Sequence, residues 1–249
     1  MKIAVCLSHV PDTTTRIRFV DNNRRLDTNG VQWIINPWDE LALTRALEIK
    51  ESSGGRVEKV TVVHVGRAGA DPTLRKAMAI GADNAIRVDA DPADAFSVAS
   101  HLAAALRQES FDLILCGIES SDYNNSAVGG MLAELLSVTS VSAVSGLEPA
   151  DDGWLLHRDI DGGVEKIVAS SPLVAIVQKG IAREPRIPSM RGIMMAKQKP
   201  LQVVPGVEVN PLTEYLGFEI PAPKPPCRKL DPEQVKELAG LLHKEAKVI

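Results

Sequence analysis

With 249 residues, 45% of them hydrophobic and 24% charged, the chain is long enough to bury a core as one large domain, or one domain with appendages, and has an ordinary globular balance. A net charge of -4 and an aromatic content of 4% exclude the basic face and stacking platforms of a nucleic-acid binder, and offer nothing to an anionic membrane surface. Three scattered cysteines (Cys6, Cys116, Cys227) and five histidines without metal-ligand spacing argue against a disulfide framework or a zinc site; no apolar stretch approaches a membrane span, and a reducing cytoplasm is the expected compartment.

The opening run Ile3 to Leu7 is short and apolar, too short for a secretory segment, and reads as a buried parallel strand. Pro11 to Asp27 is polar and reads as a loop or hairpin excursion. Asn36-Pro37-Trp38-Asp39-Glu40 opens a helix, with acids in the turn that the helix dipole favours, and Ser53-Gly54-Gly55 stops it. Val57 to Val65 is a second strand, Asp71 to Ile80 a helix closed by Gly81, and Ala85 to Val88 a third strand. Ala93 to Gln108 is an alanine-rich helix, Phe111 to Cys116 a fourth strand, and Ser126 to Leu136 the next helix. This alternation is the signature of an α/β doubly wound, mostly parallel sheet.

The rhythm then changes. Val141 to Glu148, Trp154 to Asp161, Val164 to Ser170 and Leu173 to Gln178 are four strand-like runs. Asp151-Asp152-Gly153 and Asp161-Gly162-Gly163 carry hairpin-turn chemistry, so an antiparallel extension of one sheet edge is expected. Glu184 to Lys199 is punctuated by Pro and Arg. Pro205 to Lys229 holds Pro221, Pro223, Pro225 and Pro226 and reads as an extended arm. Leu230 to Ile249 reads as a terminal helix with Asp231 as N-cap and Pro232 at the first helical position. The expected division is a nucleotide-binding α/β domain over 1–200 and a C-terminal arm and helix over 201–249.

In open parallel sheets ligands bind beyond the carboxyl ends of the strands. Three strand-to-helix handovers stand out: Ser8 to Asp12, Gly66 to Gly69, and Gly117 to Ser126. The third is the richest. Gly117 allows close backbone approach, polar side chains follow, and the next helix offers N–H groups to a phosphate. A solvated, N-capped loop is the plainer reading of the same residues. His9 and Asp12 lack a nucleophile with a matching triad, so no catalytic residue is assigned.

Four segments in order resemble the β subunits of electron-transfer flavoproteins, a family that includes the FixA proteins. They are Asn36-Pro37-Trp38-Asp39-Glu40-Leu41-Ala42-Leu43, Leu74 to Asp83, Arg158-Asp159-Ile160-Asp161-Gly162-Gly163 with Pro172, and Glu184-Pro185-Arg186 with Ile193-Met194-Met195-Ala196-Lys197. The resemblance covers essentially the whole chain and implies an adenine-nucleotide-hydrolase-like fold. It implies an electron carrier, not an enzyme by itself: the small subunit binds AMP and supports the FAD of an alpha subunit in a heterodimer. Donors would be dehydrogenases such as acyl-CoA dehydrogenases, and the acceptor a quinone oxidoreductase.

Carried over by motif, the nucleotide meets Cys6, Asn36, Pro37, Trp38, Asp39, Val65, Gly66, Gly117, Ile118, Glu119, Ser120, Ser121, Asp122, Tyr123, Asn124, Asn125, Ser126, Ala127 and Val128. Glu184, Pro185, Arg186, Met190, Ile193 and Met194 match the family's partner-docking segment, where Met190 replaces an anchoring leucine. Trp38 stands where the family has a Phe near the flavin. Thr13, Ser8 and Asp159 depart from the usual aromatic, lysine and glutamate. Asp122, Val128 and Gly129 are similar to the electron-bifurcating branch, which holds a second FAD in place of AMP. A stand-alone nucleotide-binding signalling domain is the remote alternative.

Overall fold

The computed structural model describes residues 1–151, 153–224 and 226–249; Asp152 of the expected hairpin turn and Pro225 of the proline-rich run lie outside the described residues. The first half follows the expected order. After β1 (Lys2–Cys6) come β2 (His9–Pro11), β3 (Phe19–Val20), β4 (Arg25–Leu26) and β5 (Trp33–Ile35). They make the polar excursion: β2 pairs with β5 and β3 with β4, both antiparallel. α1 (Pro37–Ser52) carries Pro37 in its first turn beside Asp39 and Glu40, and Lys50 in its last turn, the charge order the helix dipole favours.

β6 (Lys59–Val65), α2 (Asp71–Ile80), β7 (Asn84–Asp89), α3 (Ala95–Leu106), β8 (Leu113–Gly117) and α4 (Val128–Leu136) continue the alternation. Gly81, after α2, has φ +153°, and a Cβ there would stand 2.8 Å from Leu47 Cδ1, so glycine is required on both counts. α4 begins two residues later than expected because Ser126 adopts a left-handed φ of +51°.

β9 (Thr139–Ala150), β10 (Gly153–Ile160) and β11 (Gly163–Ala169) form the expected antiparallel meander. β12 (Leu173–Val177) does not. It runs parallel between β8 and β9, with Leu173 opposite both Leu113 and Thr139. All five of its residues are buried, as expected for a strand covered on both faces.

Two further elements were not expected. α5 (Met190–Ala196) lies within the Pro- and Arg-punctuated stretch, capped by the Ser189 hydroxyl, which accepts from Gly192 N. β13 (Leu201–Pro205) joins the sheet edge in parallel with β7, pairing Leu201 with Ala85. Its proline sits at the end of an edge strand, where a missing N–H costs no ladder bond. The terminal helix, α6 (Val235–Leu241), starts later than Asp231 would place it. The Asp231 carboxylate and carbonyl instead accept from Glu233 N and Gln234 N at 3.0 and 2.9 Å, closing a turn that holds Pro232 ahead of the helix.

The nine-stranded order is β11-β10-β9-β12-β8-β1-β6-β7-β13. Alternate strand residues face opposite layers. Ile3, Val5, Leu113 and Leu115 pack with Leu43, Leu47, Leu74 and Met78 of α1 and α2. Ala4, Cys6, Ile114 and Cys116 pack with Leu102, Leu106 and Leu132 of α3 and α4. This is the doubly wound α/β fold, and it leaves the carboxyl ends of β1, β6 and β8 side by side. Among the described residues no helix is long and apolar enough to cross a membrane.

Candidate functional site

Those strand ends open into a cleft of about 230 Å³. Of the residues expected to meet a nucleotide, Cys6, Asp39, Val65, Gly117 to Ser120, Asp122, Tyr123 and Asn125 to Val128 line it. Asn36, Pro37, Trp38, Gly66, Ser121 and Asn124 are beside it without lining it.

The start of α1 organises the cleft. The Asp39 carboxylate accepts from Ser8 N at 2.7 Å and from Gly117 N at 2.9 Å, so it ties the end of β1 to the end of β8. Asn36 donates from Nδ2 to the Glu119 carbonyl at 2.8 Å and accepts at Oδ1 from Ser121 N at 3.2 Å. Both side chains are buried, so these bonds are made away from competing water. Burial pushes the Asp39 carboxyl up to about 7, against the opposing bonds from Ser8, Asn36 and Gly117. Asn36 therefore shapes the loop after β8 and does not itself face the cleft.

Gly117 is also needed for a reason that the sequence did not show. The space a Cβ would fill is taken by Asp39 Oδ1, 2.3 Å away, and Trp38 Cβ, 2.7 Å away. The close approach is to α1. Gly129 plays the matching part in α4, where a Cβ would meet Ile176 Cγ1 at 2.7 Å, so the helix start sits tightly on β12.

Ala127, at the N-cap of α4, makes no side-chain capping bond. The N–H groups of that first turn have no partner within the helix, and Ala127 and Val128 line the cleft. An anion in the cleft can complete them.

His64 and His9 lie at the β1 and β6 ends. His64 Nδ1 is 2.8 Å from the Leu7 carbonyl, which can only accept, so Nδ1 carries the proton and Nε2 is left as an acceptor. Burial holds His64 down to about 4 and therefore neutral. His9 bonds Thr73 Oγ1 at 2.9 Å and stacks on Trp33 at 4.5 Å. Cys6 and Cys116 face the cleft from neighbouring strands, and the thiol of Cys116 is raised by its bond with Cys6 and by burial, so it stays protonated.

The far wall contains residues that the sequence reading did not single out. Asp94 caps α3, accepting from Ser97 N at 2.8 Å and Ser97 Oγ at 2.6 Å. Its second oxygen accepts from Leu212 N at 2.7 Å and Thr213 N at 2.9 Å, on the C-terminal arm. Burial opposes the charge, but the bonds from Ser97, Thr213 and Leu212 outweigh it and hold the carboxyl at about 2. The arm thus reaches the cleft, and Tyr215 lines it. An Asp three residues ahead of Ser97 is a readable cap; no sequence signal points to Tyr215.

The expected docking segment is tied down from behind. Arg186 grips Glu51 of α1 with two 2.6 Å bonds, and Arg75 Nη1 donates to the Ala196 and Lys199 carbonyls at 2.7 Å each. Gly192 presses on α2, where a Cβ would stand 2.3 Å from the Ala79 carbonyl. Glu184 and Pro185 are exposed. The apolar side chains of Ile187, Met190, Ile193, Met194 and Met195 all point outward, with Met190 78% exposed. Five large apolar side chains exposed on one short segment are more than the single scattered apolar residues of an ordinary surface.

Residues 24–208 match the sequence profile of the electron transfer flavoprotein domain. The chain is 36% identical to the electron transfer flavoprotein subunit beta of Bacillus subtilis (strain 168), over 100% of both chains. It is 33% identical to the protein of the same name from Syntrophomonas wolfei, over 94% of this chain and 91% of that one. It is 32% identical to that of Bradyrhizobium diazoefficiens, over 100% of both. With a doubly wound sheet, four ordered motifs and full-length similarity in agreement, the chain belongs to the electron-transfer flavoprotein beta-subunit family.

Proposed function

We propose that the chain binds an adenine nucleotide, AMP, in the cleft and pairs with a larger alpha subunit whose FAD it helps to hold, forming an electron-transfer heterodimer. The observation that carries this reading is the uncapped start of α4 at the wall of the cleft, where backbone N–H groups meet the space a phosphate would take. The residues fit the ligand in kind. Cys6, Val65 and Val98 give an apolar side for a base, and His64 Nε2 is an acceptor at the β6 end. Asp39 and Asn36 hold the loop in shape with no ligand contact required of Asn36.

In the heterodimer the flavin supplies the one-electron chemistry. This chain's residues bind, orient and dock. The Ile187 to Met195 face would seat donor dehydrogenases, acyl-CoA dehydrogenases among them, and a quinone oxidoreductase would take the electrons onward. Of residues 201–249, Leu201–Pro205 belong to the sheet as β13, and the stretch beyond them would wrap the alpha subunit. Free Cys6, Cys116 and Cys227 suit a reducing cytoplasm. Co-expression with the large subunit tests the reading. A flavin-bearing one-to-one complex is expected; a stable monomer that never acquires flavin would point instead to a stand-alone nucleotide-binding module.

A further inference from the structure

The chain has two tyrosines and four phenylalanines; both tyrosines line the cleft, and two of the phenylalanines continue the row of rings away from it. Tyr123 comes from the loop after β8. Tyr215 and Phe218 come from the C-terminal arm, and Phe19 from the β3–β4 hairpin. The rings form a chain of contacts, with centroids 5.1 Å apart for Tyr123 and Tyr215, 6.1 Å for Tyr215 and Phe218, and 4.9 Å for Phe218 and Phe19.

The arm is fixed where it delivers Tyr215. Val207 N donates to His101 Nδ1 at 3.3 Å, Leu212 and Thr213 are pinned to Asp94, and Phe218 N donates to the Asn23 carbonyl at 2.8 Å. The Tyr215 hydroxyl accepts from Asn125 Nδ2 at 3.0 Å. Asn125 belongs to the loop that leads into the uncapped α4. Tyr215 therefore stands at the phosphate end of the cleft, opposite Tyr123.

Charge points the same way. The cleft is lined by the carboxylates of Asp39, Asp94, Glu119 and Asp122, and among the described lining residues there is no lysine or arginine. Backbone N–H groups can meet one phosphate. A second phosphate would set its own negative charge beside Glu119 and Asp122, with no side-chain cation among the described lining residues to offset it.

We infer that Tyr215, with Tyr123, walls off the phosphate end of the cleft and restricts it to an adenine mononucleotide, which makes an arm residue the determinant of ligand size. The inference rests on the proposed nucleotide-binding role. A ligand that continues past its first phosphate must pass the paired rings, and a steric block of this kind discriminates by excluding the competitor.

The test uses the heterodimer, stripped of nucleotide and re-equilibrated with equimolar AMP and ADP-ribose, the bound nucleotides then being released and quantified by mass spectrometry. Wild type should retain AMP over ADP-ribose by about tenfold or more. Tyr215→Ala should admit ADP-ribose and bring the ratio to within about threefold, whereas Tyr215→Phe, which keeps the ring, should hold the wild-type ratio. A wild-type ratio near one, or a Tyr215→Ala ratio unchanged while AMP still binds, would overturn the inference and leave the nucleotide-binding role standing. Tyr215→Phe behaving like Tyr215→Ala would also overturn it, by assigning the selection to the bond with Asn125. Retention of neither nucleotide by wild type would remove the nucleotide-binding role and this inference together.

Discussion

The strand ends that build the cleft and the C-terminal arm that crosses it hold their shapes in opposite ways. At the strand ends Asn36 and Asp39 are buried and bond to backbone within the chain. In the arm α6 buries none of its residues, and Leu212, Leu216, Ile220 and Val235 are exposed. The cleft is thus self-supporting. Among the described residues the arm is fixed at its start, where β13 pairs with β7 and where His101, Asp94, Asn23 and Asn125 meet it, and the apolar surface beyond is what a large partner would cover.

The largest expected effect comes from attacking the cleft. Asp39→Ala takes the acceptor from Ser8 N and Gly117 N, both partly buried, and each such loss costs up to about 1–3 kcal/mol. Chemical denaturation of the heterodimer should show about 2–5 kcal/mol of destabilisation; a loss well under 1 kcal/mol (roughly the size of a surface change) would mean that Asp39 does not hold the cleft.

The two carboxylates also set opposite pH windows. Asp39 is raised to about 7 in the fold, so its contribution is present in full below the ordinary value of 3.8 and is lost as pH rises through 7. Asp94 is depressed to about 2, so its contribution is present above 3.8 and is lost as pH falls towards 2. The cleft should loosen on the alkaline side and the arm's anchor on the acid side. At neutral pH, Asp94→Asn should speed hydrogen exchange at Leu212 and Thr213 by about tenfold or more while leaving Gly117 protected. Equal loosening at both places would erase the distinction between the regions.

The smallest structural effect is expected at the docking face. Met190→Ala should change stability by no more than about 0.5 kcal/mol and leave bound nucleotide unchanged. Stopped-flow electron uptake from a donor dehydrogenase should slow by about tenfold if Met190 anchors the contact. Unchanged kinetics would take the docking role away.

The same contrast separates what was legible in the sequence from what was not. Local signals placed α1, α2 and the alternation of strands, because Pro37, Gly81 and the apolar runs act on their immediate neighbours. β12 was misassigned by its place after two hairpin-like strands, although Leu173-Val174-Ala175-Ile176-Val177 lacks the alternation of an edge strand. β13 is mostly exposed, and its apolar Leu201, Val203 and Val204 are interrupted by Gln202 and bounded by Pro200 and Pro205, so the run was too short to read as a strand. In the cleft, the Asn36 to Asp39 motif was readable, but its use was not. Gly117 yields space to α1, a contact 78 residues away in sequence that no spacing argument reaches. Tyr215 was hidden for the same reason: its place depends on Asp94, about 120 residues earlier, and on the path of an arm whose prolines say only that it is extended.

The central claim is that the cleft holds an adenine mononucleotide distinct from the flavin. Quantifying every nucleotide released on denaturing the purified heterodimer tests it most directly. The account predicts one FAD and one AMP per heterodimer. Two FAD and no AMP, or FAD alone, would contradict it.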